Sequence, residues 1–196
     1  NYGDYTITAG EHGVITVVGP DGTDTVTGIE QLQFADRTID VSDLSADDPS
    51  LTVAPAFGAE DTAIALDIRA ALTDDSETLS ITIAGVPEGA VLSAGTDQGD
   101  GTWTLSAEEI AAGALNNLTL IPPPNSSADF TLTVTATATD GSDTASNTAT
   151  FNVDVTGVAD APTVTVSDVT GAEDTAIPLD ITAALTDGSE TLAVTI

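Results

Sequence analysis

One stretch of this chain is written twice. Residues 59–83, AEDTAIALDIRAALTDDSETLSITI, return as residues 172–196, AEDTAIPLDITAALTDGSETLAVTI. Twenty of the 25 positions are identical, at an offset of 172 − 59 = 113 residues. Chance does not produce such a match. A period of this length is a whole domain, far above the roughly 20–50 residues of a solenoid or propeller repeat. The chain is therefore read as residues 1–48, a short β-rich segment; 49–160, one complete repeat; and 161–196, the truncated start of the next. The array is expected to continue past Ile196, as part of a longer protein.

Within 51–157 the pattern is that of short strands separated by turns. The strand-like runs are AIALDI, TLSITIAG, AVLSA, TWTLS, NLTLIP, DFTLTVTATATD and TATFNVDVTG. Alternation is cleanest in FTLTVTATATD: Leu132, Val134, Ala136 and Ala138 share one face, and Thr131, Thr133, Thr135, Thr137 and Thr139 the other. About seven strands at this spacing predict an all-β fold, a Greek-key β-sandwich repeated in tandem. SAEEIAAG predicts one short helix, with Ser106 and Glu109 as a capping box and Gly113 as the stop. IPPPN, residues 121–125, is a stiff turn that cannot lie in mid-sheet. Ahead of the repeat, TITAG, VITVVG and TIDV read as strands, GPDGTD (19–24) as a turn, and IEQLQF places Ile29, Leu32 and Phe34 in apolar positions. SADDPS (45–50) and the stretch VADAPT read as linkers.

Charge limits the partners. Two Arg face 32 carboxylates, a net charge of −30. Nucleic-acid binding needs a basic patch and is excluded, and an anionic membrane surface is disfavoured on the same ground. No apolar run reaches the roughly 18 residues of a membrane span, so membrane insertion is not expected. No signal peptide stands at Asn1. The absence of Cys removes disulfides, Cys-zinc sites and thiol chemistry. A compact fold with this charge repels itself, and bound divalent cations or high salt would offset the repulsion. Cations are the preferred reading, because many of the acids sit in turn motifs.

The strings GAEDTAI, LTDDSETLSITIAGVPEGAVLSAG, GDGTWTLS, DFTLTVTATATDG and GVADAPTVTV resemble the long-repeat extender modules of giant type-I-secreted RTX adhesins, and look like bacterial cadherin-like or Ig-like modules. The opening VITVVGPDGTDTVTGIEQLQFADRTIDV is similar to a segment that accompanies RTX calcium blocks. No GGxGxD nonapeptide is present, so no calcium β-roll site is carried over. The resemblance implies one-step secretion from a Gram-negative cell, residence at the cell surface, Ca2+ at the module junctions, and a role in attachment or biofilm. Extracellular modules of this sort bind calcium at roughly 10⁻⁴–10⁻³ M. The array would then be loose during export and stiff outside.

Calcium takes six to eight oxygen ligands, which several turns at a junction can supply together. The candidates form matching sets. Glu60 and Asp61 recur as Glu173 and Asp174; Asp74, Asp75 and Glu77 recur as Asp187, Gly188 and Glu190. Asp140 and Asp143 flank Gly-Ser in a turn, and Asp160 sits in the linker before Ala161 and Pro162. In the cadherin-like pattern a Glu near the first strand, a DxD-like turn and a linker Asp meet in one cleft; ADAP resembles the linker motif and DGSD is a loose version of the turn. Against these stand plain turn chemistry for each Asp and a solvated loop charge for Glu60 and Glu173. Asp21 and Asp24 could bind calcium as well, with a plain Asp-Gly turn as the preferred reading.

Catalysis has little support in the sequence, and no enzyme is expected in this stretch. His12, the one His, is beside Glu11 in a turn and reads as a surface residue. No carboxylate pair lies in a glycosidase context, and no Ser has a His nearby. Trp103 reads as core, not as a sugar platform. The Thr face of FTLTVTATATD raises ice binding, but this needs the pattern on many neighbouring strands, which the sequence alone does not display. The leading function is a spacer whose partners are neighbouring repeats of the same chain. The alternatives are a subunit of an extracellular fibre completed by strand pairing with other copies, and a carbohydrate- or protein-binding module.

Overall fold

The computed structural model describes residues 1–10, 14–141 and 143–196, with the backbone alone at 42 and 43. Glu11 and His12 lie outside the described residues. The fold is all-β, with several sheets and one short α-helix among the described residues.

The opening segment carries β1 (Thr6–Gly10), β2 (Val14–Gly19) and β3 (Gly22–Thr27), an antiparallel meander. The turn predicted over 19–24 contracts to Pro20 and Asp21, because Gly19 already pairs with Gly22. A hairpin follows, β4 (Gln31–Gln33) with β5 (Thr38–Asp40). Phe34 packs between Tyr2 and Tyr5, with ring centroids 5.5 and 5.4 Å apart. The Arg37 guanidinium lies 4.5 Å over the Tyr2 ring, a cation–π contact that occupies one of the two Arg.

The central repeat holds β6 (Ser50–Val53), β7 (Ala56–Ala59), β8 (Ile64–Ala65), β9 (Ile68–Ala71), β10 (Thr78–Ala84), β11 (Val91–Leu92), β12 (Thr96–Asp97), β13 (Thr102–Leu105), α1 (Ala107–Ala111), β14 (Thr119–Ile121), β15 (Phe130–Asp140) and β16 (Asp143–Thr156). One sheet runs in the order β12-β13-β10-β15-β16-β7, a second in the order β11-β14-β8, and β6 pairs with β9. The predicted alternation in β15 holds: Leu132, Val134, Ala136 and Ala138 are fully buried. Leu132, Val134 and Ala136 join Ile81, Ile83, Leu105 and Val153 of the same sheet, and Ile64, Leu120 and Ile68 from other strands, in one hydrophobic cluster. Each fully buried Leu, Ile or Val contributes about 1.5–3 kcal/mol. Trp103 belongs to this cluster and is 8% exposed, as a core residue is.

The helix is capped as predicted. The Glu109 N–H donates to Ser106 Oγ at 3.3 Å, and the Ser106 N–H donates to Glu109 Oε2 at 2.8 Å. Gly113 follows with φ +91, a left-handed conformation that costs glycine little. Two features depart from the sequence reading. AIALDI is not one strand: Ile64 pairs with Leu120, whereas Ile68 pairs with Val53, so the chain changes partner at Leu66–Asp67. β7, unassigned from sequence, runs parallel to β16, with Ala56 opposite Val153.

The repeat is structural as well as textual. β17 (Thr163–Val166) pairs with β18 (Ile181–Ala184), Thr163 opposite Ala184, as Ser50 lies opposite Ala71 between β6 and β9. Both offsets are 113 (163 − 50, 184 − 71). Asp61 and Asp174 take φ +57 and +58, an unusual conformation for a non-glycine residue, reproduced at the same place. A Cβ on Gly58 would lie 2.4 Å from Ile64 Cγ1, and one on Gly171 2.4 Å from Ile177 Cγ1. Ile177 and Leu179 are 41% and 59% exposed, against 1% and 5% for Ile64 and Leu66. Counterparts of β13 to β16, which close the core over the first pair, do not occur within the 196 residues.

Candidate functional site

The predicted acids gather at two joints. At the first, between the opening segment and the central repeat, the linker crosses two acidic turns. The Ala46 N–H donates to Asp143 Oδ2 at 3.2 Å, and the Asp47 N–H to Glu77 Oε1 at 2.5 Å. Asp74 shapes the turn that presents Glu77: its Oδ1 accepts from the Ser76 N–H at 2.8 Å, a side-chain-to-backbone turn of the kind Asp forms readily. Glu77 is 6% exposed and its Oε2 has no partner. Asp140 and Asp143 pair across the β15–β16 hairpin end. They line a cavity of about 200 Å³ with Tyr2, Ile7 and Leu44.

At the second joint, Glu60 stands at the end of β7, its N–H donating to the Thr156 carbonyl at 3.0 Å. Its Oε1 accepts from the Val158 N–H at 2.6 Å, and Glu190 Oε1 accepts from the Asp160 N–H at 2.6 Å. Oε2 of both glutamates is buried without a partner. Asp187 holds the turn before Glu190. Its oxygens accept from the Ser189 hydroxyl at 2.5 Å and the Ser189 N–H at 2.8 Å, and these bonds, the hydroxyl first, hold its carboxyl below the usual range against the opposing effect of burial.

Other candidates stand apart. Asp61 Oδ1 accepts from the Asn125 N–H at 3.0 Å, tying the IPPPN turn to the end of β7. Glu173 and Asp174 are exposed. Among the described residues, no three His, Cys, Asp or Glu side chains converge closely enough to hold a metal ion together. The solvated-charge alternative does not fit Glu60, which is 1% exposed.

One linker residue escaped the sequence reading. Asp47 is the counterpart of Asp160, since 160 − 47 = 113 and ADDP at 46–49 matches ADAP at 159–162. Extending the repeat offset backwards into the first linker would have found it.

Each joint offers an unpartnered carboxylate oxygen, the type of ligand a hard divalent cation takes. Burying a carboxylate oxygen without a partner costs about 1–3 kcal/mol or more. Lys and Arg together number two. Arg37 is stacked on Tyr2, and Arg69 donates to Asp67 at 2.9 Å on the surface. No Lys or Arg therefore neutralises Glu60, Glu77 or Glu190. Oε2 of each could serve as one cation ligand; with no three acidic side chains converging among the described residues, the rest of a shell would come from backbone carbonyls and water.

The Thr pattern spreads further than the sequence displayed. Thr96, Thr104, Thr82, Thr135 and Thr148 form one cross-strand row over five strands, and Thr78–Thr139–Thr144 and Ser80–Thr137–Ser146 lie alongside. Such rows stabilise the sheet through cross-strand pairs. Thr135 and Thr148 share a hydroxyl hydrogen bond of 3.0 Å. Sheets twist on average by about 20–25° per strand, which works against the flat face an ice lattice demands.

No family model and no curated protein sequence matches the chain. Two solved structures of an endo-fucoidan hydrolase of glycoside hydrolase family 107 are similar to it, at 14% and 13% identity, each with a TM-score of 0.33. The alignments cover 95% of this chain and 33% of the hydrolase chains, so this chain spans a third of their length. A likeness this shallow carries no argument about fold or catalysis.

Proposed function

We propose that the chain is a structural extender of a secreted, cell-surface protein of the RTX-adhesin kind, built from tandem Greek-key sandwiches of Ig-like or cadherin-like form and rigidified by Ca2+ at its joints. It would hold an adhesive tip away from the cell and have no catalytic role. The observation that carries the reading is a trio of glutamates, Glu60 and Glu77 buried and Glu190 half-buried, each touching a linker and each with one buried oxygen unpartnered. In a chain of net charge −30, carboxylates withdrawn from water at the places where units meet, with no Lys or Arg beside them, fit external cations. The joints rather than the sheets carry this chemistry, as a spacer requires.

Calcium titration of the full chain, followed by thermal melting and small-angle scattering, tests it. The reading expects a higher melting temperature and a longer, narrower distribution of shapes with calcium than with chelator. Identical curves in both would remove calcium from the account. A fibre assembled through strand exchange with other copies is the second reading. Ordered filaments grown from the purified chain would support it.

A further inference from the structure

We propose that the joints carry a latch that works without metal: in each, a glutamate at the entry of one unit, buried in the case of Glu77 and half-buried in the case of Glu190, grips the backbone of the linker before it. The proposal deepens the spacer reading and rests on it only in taking residues 46–49 and 157–161 as joints.

The same bond occurs twice in different surroundings. Glu77 Oε1 accepts from the Asp47 N–H at 2.5 Å, and Glu190 Oε1 from the Asp160 N–H at 2.6 Å. The acceptors are 113 residues apart and so are the donors (190 − 77, 160 − 47). The first linker follows a segment unrelated in sequence to the repeat, whereas the second follows a complete repeat. The geometry therefore belongs to the entry turn of the repeat itself. Asp74 and Asp187 shape that turn in both copies, each accepting the N–H two residues on at 2.8 Å.

At the second joint the preceding unit contributes as well. Glu60 holds the Val158 N–H and Glu190 the Asp160 N–H. One glutamate from each flanking unit thus grips the linker at positions two residues apart. Each uses Oε1 for the backbone and leaves Oε2 unpartnered. A carboxylate that accepts an N–H in a water-poor site forms a charge-assisted bond, roughly twice as strong as a neutral one. The division of labour has a consequence: the linker is positioned by one oxygen before any cation meets the other, so a cation would bind a joint already aligned.

Amide hydrogen exchange on the ¹⁵N-labelled full chain in excess chelator tests the latch, with the Leu132 amide of β15 as the internal reference for an intact fold. The Asp47, Val158 and Asp160 amides are expected to exchange about tenfold or more slower than unstructured amides, the effect of one hydrogen bond to a charged acceptor. Glu77→Leu should release Asp47 and leave Asp160 slow. Glu190→Leu should do the reverse. Glu77→Gln, which retains an acceptor oxygen, should keep part of the protection at Asp47. Exchange at the unstructured rate in chelator, while Leu132 stays protected, overturns the latch; so does a Glu77→Leu chain in which Asp47 remains slow. Protection that appears only when calcium is added removes the latch and leaves the cation reading standing. Protection in chelator that calcium does not alter supports the latch and removes the cation reading.

Discussion

Glu60→Gln separates the two duties of a joint glutamate. Glu60 is 1% exposed, with Oε1 on the Val158 N–H and Oε2 unpartnered. Gln keeps an acceptor for Val158 and removes the charge. In chelator the substitution removes a buried, uncompensated charge, so stability should be unchanged or raised by about 1 kcal/mol. In calcium the sign reverses. A site held at 100 times its dissociation constant adds about 2.7 kcal/mol. For a unit of this size each kcal/mol shifts the melting temperature by about 4 °C, so one site is worth on the order of 10 °C. The assay is differential scanning calorimetry of native chain and variant, each in chelator and in millimolar calcium. The native chain should gain on the order of 10 °C per site at its joints, and the variant should lose most of the share due to the second joint. Equal gains in both would refute the claim that Glu60 faces a cation. A variant much less stable in chelator would refute the claim that its charge is uncompensated there.

Three further outcomes follow from single contacts. Gly58→Ala places a Cβ 2.4 Å from Ile64 Cγ1, beside a fully buried side chain, and should cost about 1–3 kcal/mol in urea unfolding. Ser106→Ala removes the cap that accepts the Glu109 N–H and should cost about 1 kcal/mol in the same assay. The Asp187 carboxyl is held below its ordinary value by Ser189. Its contribution is therefore complete above the unfolded carboxylate range and is lost as pH falls through the lowered folded value. In Ser189→Ala that acid-side loss should begin at higher pH, read from exchange of the Asp160 amide between pH 5 and 3.

Local features were legible in the sequence. Alternation in β15 placed Leu132 to Ala138 in the core, and the pattern Ser106 to Glu109 gave the capping box, because both depend on neighbours within a few residues. The features that escaped depend on long-range register. The parallel pairing of β7 with β16 joins Ala56 to Val153, and no local pattern encodes it. The Thr rows lie on five strands that register brings side by side. The split of AIALDI needed the knowledge that Ile64 and Ile68 pair with different strands. At the joints, the identity of the acids was readable but their burial was not. Glu60 and Glu173 occupy equivalent positions in the text, yet only Glu60 has a following linker within the chain to cover it.

The most direct test is a structure determined from calcium-saturated protein. An ion bonded at about 2.3–2.6 Å to Oε2 of Glu77, or of Glu60 or Glu190, is the predicted result. Density in which those three oxygens meet only protein and water, with no ion at either joint, would contradict it.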